Sequence, residues 1–258
     1  MAAPASSTAI RPPIGDVWLD GVASLAGDWP AVLGLAAAFV FAPTVVVNFV
    51  VLPSLPVRFA NQSISFLFDM SVSAVLLLPL RGLFAGALAL RITARLDQRE
   101  TTWPDCLALA VRSAPKLYAA LLCAQLITTA GYVLLIVPGV IASVTLSILA
   151  PIVVVERGPL IGCLRRSLEL TRGSRLMIFG FWLAGGFCIV ACLLLVSVVL
   201  ALIGAFAAGA NAIFAAIRPL LVDGTTATLF AIGAAALYHA LKVLKEGSTD
   251  LGAAAVFD

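Results

Sequence analysis

Three ionisable residues stand where the surrounding sequence is apolar: Asp69, Arg81 and Glu156. Arg81 follows Pro79 in the run LLLPLRGLFAGALAL, and a guanidinium so placed must find a carboxylate, backbone carbonyls or water. Asp69 lies twelve residues earlier, about 18 Å along a helix and about 120° around it. The two do not pair directly, so a partner for Arg81 must come from another helix. A structural ion pair, a span shifted so that the side chain snorkels outward, and a substrate or ion site all meet that requirement. Glu156 closes the run APIVVVE at a membrane boundary, where it can cap, pair with Arg157 or Arg165, or do acid–base chemistry. His239, the one histidine, has no carboxylate three or four residues away, which disfavours a metal site or a triad and points to a boundary residue.

Other chemistry is sparse. Cys123, Cys188 and Cys192 fall in apolar spans, and Cys106 and Cys163 in segments expected on the cytoplasmic side, where thiols are kept reduced. Cys188 and Cys192 share a helix face without a second pair in metal-site spacing, so packing is the expected role. G-x-x-x-x-G-K-[ST], G-x-G-x-x-G and G-x-S-x-G are absent from the chain, which disfavours nucleotide and serine-hydrolase readings. The expectation is a non-enzymatic protein with no cofactor and no metal.

The elements that carry these residues follow from composition. The 258 residues are 62% hydrophobic and 11% charged, with a mean hydropathy of +1.12, far from the roughly 25% charge of soluble domains. In lipid every backbone polar group must be paired internally, which leaves helices or closed barrels. Apolar runs of about 20 residues are helix length, whereas barrel strands are about 10 and alternate. The fold expected is an all-α polytopic transmembrane bundle of about six spans with interfacial amphipathic helices. Residues 1–13 read as a disordered tail, 14–247 as the membrane domain and 248–258 as a short tail, with no cleaved signal.

The expected spans are 31–52, kinked at Pro43, then 66–90, 117–137, 140–155, 177–206 and 225–244. Ile14 to Leu25 places Ile14, Val17, Trp18, Val22 and Leu25 on one stripe, an interfacial helix. Thr102 is placed to cap a helix that begins near Pro104. Pro138-Gly139 forces a break, and 207–224 reads as a small loop plus a short interfacial helix. Gly82 with Gly86, and Gly180 with Gly185-Gly186, permit close helix approach.

Residues 159–175 (PLIGCLRRSLELTRGSR) form an amphipathic helix in which Leu160, Ile161, Leu164 and Leu168 line one stripe. Arg165, Arg166, Arg172 and, just beyond, Arg175 are candidate contacts to anionic lipid or a partner protein. Basic residues collect in 91–116, in 156–175 and at the C-terminus, against only Arg58 and Arg218 on the other side. Both termini are therefore expected in the cytoplasm. The net charge of +3 is accounted for by topology and calls for no nucleic acid. The expected partners are anionic membrane lipids and a membrane protein or a second copy of the chain.

From Gly131 onward the order of GYVLLIVPGVI, APIVVVERG, LRRSLELTRGSR and LYHALKVLKEG resembles the membrane domain attached to some bacterial glycerophosphoryl diester phosphodiesterases, together with stand-alone six-helix inner-membrane proteins. The resemblance implies a bacterial inner-membrane module without the soluble catalytic barrel, and it transfers no catalytic residue. The competing reading is a small-solute or ion transporter or channel with its site near Arg81, because proline- and glycine-interrupted spans are what transporters use at the midplane.

Overall fold

The computed structural model describes residues 14–54, 62–206 and 210–246, with the side chains of 14, 62–71, 192, 193, 196, 197 and 200–223 outside the described set. The expected tails, and the side chains of Arg58, Asp69, Cys192 and Arg218, lie outside the described residues. The helices in chain order are α1 (Ile14–Ala23), α2 (Trp29–Ser54), α3 (Gln62–Leu96), α4 (Trp103–Arg112) and α5 (Ala114–Leu134). They continue as α6 (Ile136–Leu146), α7 (Leu149–Glu156), α8 (Leu160–Thr171), α9 (Arg175–Phe206) and α10 (Ala210–Glu246). Trp29–Ser54, Val72–Leu96, Ala114–Leu134, Ile136–Glu156 and Gly224–Glu246 are each long and apolar enough to cross a membrane. A sixth crossing exists if α8 and the first part of α9, which meet at 90°, are counted as one bent span. The fold is an all-α polytopic bundle. Its outer surface is apolar: at the tip of the α5–α6 hairpin Val133 to Val137 are each at least 67% exposed, a surface suited to hydrocarbon.

Prolines set the breaks. In α2 a π turn at Ala37–Phe41 precedes Pro43 and another at Val47–Val51 precedes Pro53, and the N–H groups of Ala42 and Leu52 reach back five residues to the carbonyls of Ala37 and Val47. The wider turn makes room for a ring that would strike the carbonyl four residues back. Before Pro138 the helix ends at Leu134 and Leu135 is extended (φ −163°, ψ 147°). The break therefore lies three residues ahead of Pro138-Gly139, and Pro138 sits in the first turn of α6, where no N–H is needed. The fourth span gains Ile136 to Gly139 as a result and is long enough to cross. A turn at Ser147 and Ile148 does the same for Pro151. In α4 Thr102 caps as expected, its hydroxyl accepting from the Asp105 N–H.

One expectation takes a finer form and one is corrected. α1 packs into the bundle against α9 and α10, because Gly21 brings it so close that a Cβ there would lie 2.8 Å from the Ala236 methyl. Val17 and Leu25 of its stripe are buried. Of the segment 207–224, expected as a small loop plus a short interfacial helix, residues 210–224 belong instead to one continuous helix, α10, and 207–209 lie outside the described residues. Every residue of α10 from Ala231 to Tyr238 is buried, which makes it the central post of the bundle. Trp18 of α1 stacks on Phe181 with centroids 4.7 Å apart and meets Trp182 edge-on, and Gly185 and Gly233 form the rest of its seat.

A Cβ on Gly233 would come within 2.6 Å of the Trp18 indole, whereas one on Gly186 would meet nothing within 4 Å. Gly233→Ala is expected to destabilise by about 1–3 kcal/mol through overpacking and to lower the thermal unfolding midpoint in detergent. Gly186→Ala should not lower it.

Candidate functional site

Arg81 finds a partner on another helix. Its Nη2 donates to Thr44 Oγ1 of α2 at 3.3 Å, while the Thr44 hydroxyl donates to the Val40 carbonyl at 2.6 Å. Beside it a cavity of about 530 Å³ opens between α3, α5, α6, α7 and α10. Its polar lining is Arg81, Gln125, Thr128, Ser143, Ser147 and Thr226. Leu78, Leu121, Leu146 and Phe230 supply apolar wall. Gly82 keeps the wall thin, since a Cβ there would lie 2.7 Å from Leu121. Glu156 is elsewhere: it ends α7, five residues beyond the last α7 residue in the cavity wall, Pro151. Arg81 and Glu156 therefore belong to different sites.

At the basic end of the bundle Glu156 accepts a hydrogen bond from the Tyr238 hydroxyl at 3.0 Å and pairs with Arg166 at 3.3 Å. Arg166 also pairs with Glu246. The partner of Glu156 is thus Arg166, since Arg157 turns the chain out of α7 in the left-handed conformation (φ 52°) and Arg165 is exposed on α8. Lys245 of α10 donates to the carbonyls of Glu169 and, at 2.7 Å, Arg172, so a lysine from another helix caps the α8 C-terminus. His239 lies 3.0 Å from an Asp97 carboxylate oxygen, a pair 142 residues apart that helical spacing cannot reveal.

The buried face of α8 is Cys163, Ser167, Leu170 and Thr171, with the Ser167 hydroxyl donating to the Thr145 carbonyl. Small side chains let α8 approach α6 and α7 closely. Leu160 and Leu164 of the expected stripe pack partly on the core, but Ile161 and Leu168 point outward and are exposed. Arg165, Arg172 and Arg175 are exposed, whereas Arg166 is half-buried in its ion pairs. At the 90° elbow between α8 and α9 a hollow of about 700 Å³ is bordered by Leu168, Arg172, Arg175, Leu176 and Met177.

Sequence reasoning counted Arg91 only toward orientation, yet it is engaged on several sides. Its guanidinium bonds Asp28 at 2.7 and 2.9 Å, the Thr101 carbonyl, and Thr101 Oγ1 at 3.3 Å, and lies 5.6 Å from the Trp103 ring centroid. The side chains are only 7% and 17% exposed. This pair ties the start of α2 to the end of α3 and the loop into α4. Nearby, burial pushes the Cys106 thiol up, against the opposing hydrogen bond with Thr101 and the charge of Arg91. Cys106 and Cys163 are buried free thiols, Cys123 is half-buried and Cys188 faces outward. Among the described residues no three His, Cys, Asp or Glu side chains converge as metal ligands would.

The fold and these sites define the chain as an integral membrane protein of the polytopic α-helical class. No family model, curated protein or solved structure matches it.

Asp28→Ala leaves Arg91 buried without its carboxylate and is expected to cost about 3–5 kcal/mol, read as a lower unfolding midpoint. Because a raised pKa leaves less thiolate at any given pH, Cys106 is expected to resist iodoacetamide at pH 8 in the folded protein. It should react fully after denaturation, and mass spectrometry of the alkylated peptide checks both states.

Proposed function

We propose that this chain is a non-enzymatic membrane module that holds the headgroups of anionic lipids along α8 and its elbow with α9, with both termini and the basic loops facing the cytoplasm of a bacterial inner membrane. The observation that carries the reading is the exposure of Arg165, Arg172 and Arg175 next to the exposed apolar side chains of Leu168 and Leu176. Cations beside outward apolar side chains suit a lipid whose phosphate meets the guanidinium groups while its chains meet the leucines. The reading agrees with the resemblance to the membrane domain attached to some glycerophosphoryl diester phosphodiesterases. A membrane protein partner or a second copy would use the same face.

Arginines near an anionic surface are worth about 1 kcal/mol each, so Arg165→Gln, Arg172→Gln and Arg175→Gln together are expected to weaken retention of phosphatidylglycerol about 100-fold while leaving phosphatidylcholine unaffected. Native mass spectrometry of the solubilised chain measures both. Arg166→Gln is the contrast: it is expected to lower the unfolding midpoint and leave lipid preference in place. Equal retention by the triple variant and the parent would overturn the reading.

A further inference from the structure

Leu168 stands between two hollows. On one side it borders the elbow of α8 and α9, and on the other an apolar groove of about 470 Å³ between α5, α6 and α8. Pro138, Ile141, Ala142 and Thr145 of α6 floor the groove, at a spacing that puts them on one face of the helix. Ile127 of α5 and Leu164 of α8 wall it, and Ile127 and Ile141 are exposed, so it is open along the outer surface of the bundle. Its one hydroxyl, on Thr145, donates to the Ile141 and Ala142 carbonyls at 2.8 and 3.0 Å, and the Thr145 carbonyl accepts from Ser167. The groove therefore presents carbon, where the elbow presents the guanidinium groups of Arg172 and Arg175. Glu169 shares the elbow's rim, but its charge is answered by the Lys245 ammonium, so the hollow stays basic.

We propose that a single anionic phospholipid is held across both hollows, its phosphate at Arg172 and Arg175 and one acyl chain lying in the groove from Leu168 toward Pro138. On the lipid-face reading of α8, on which this rests, the headgroup is already fixed; the groove adds a seat for the chain. Continuity through Leu168 names the occupant. A partner's helix could fill the groove but need not bring an anion to the elbow, whereas a phospholipid carries both parts in one molecule. From Pro138 to Thr145 the floor runs about 10 Å, against about 15 Å for one leaflet's half of the hydrocarbon core. A groove without polar atoms gains nothing in lipid from expelling water and holds a chain by dispersion contacts. Anchoring the phosphate makes the seating of the chain an intramolecular event, which favours that chain over those of freely exchanging lipids.

The test is native mass spectrometry of the full chain in nonionic detergent, titrated with phosphatidylglycerol. One adduct is expected to survive activation that strips the others. Ala142→Phe, which fills the groove and keeps the arginines, should weaken that adduct about 10-fold, the equivalent of about ten lost carbon–carbon contacts. Phosphatidylglycerol should still be retained over phosphatidylcholine by this variant, with circular dichroism reporting that it is folded. The parent chain gives a second readout that needs no substitution. Phosphatidylglycerol carrying a diazirine midway along one chain should, on irradiation, label peptides containing Ile127, Ile141 or Leu164 in preference to the outer face of α9 at Leu183 and Phe187. Labelling confined to the α9 face, or undiminished retention by folded Ala142→Phe, would overturn the chain seat and leave the lipid face standing. Equal retention by the triple glutamine variant of α8 and the parent would overturn the lipid face and the seat with it.

Discussion

Hydrocarbon offers no hydrogen-bond partner, so a proline inside a span strands a carbonyl that only the chain itself can satisfy. Much of this bundle follows from how that problem is met. The π turn ahead of Pro43 shifts the hydrogen-bond frame by one residue, and the Thr44 hydroxyl then serves the Val40 carbonyl. With its proton committed, Thr44 presents its oxygen to Arg81. The proline, the threonine and the guanidinium are therefore one device: the π turn in α2 precedes the acceptor that contacts the mid-span cation on α3.

A second constraint is the central position of α10. A helix stretch buried on every side, as Ala231 to Tyr238 is, gains little from the hydrophobic effect in a bundle without water and relies on close packing. Ala231, Ala234, Ala235 and Ala236 supply the short side chains, and Gly233 opens the slot that takes the Trp18 indole. That insertion draws α1 into the core. The same post carries Tyr238, His239, Lys245 and Glu246 to the basic end, where they reach Glu156, Asp97, the α8 carbonyls and Arg166.

What was legible in the sequence was what depends on local pattern. Hydropathy located the five straight spans, Thr102 two residues before Pro104 marked a cap, and the α1 stripe pointed to Val17 and Leu25. Partners across helices were not legible. Asp28 and Arg91 are 63 residues apart, Glu156 and Tyr238 82, His239 and Asp97 142; helical spacing reports only neighbours three or four residues away. The buried face of α8 escaped for another reason. Periodicity looks for large apolar residues, whereas Cys163, Ser167 and Thr171 are buried because they are small.

Cations here stand in three settings with different energetics. Arg91 is enclosed by a carboxylate, a carbonyl and an indole, and its removal from that cage is costly because the remaining charge is left buried. Arg165, Arg172 and Arg175 are exposed, so their surroundings outside the fold set their energy and their substitution costs the fold little. Arg81 is intermediate. An arginine at the centre of a span costs about 2.5–3.5 kcal/mol to insert, and the Thr44 hydroxyl at 3.3 Å is one of the contacts that offset it.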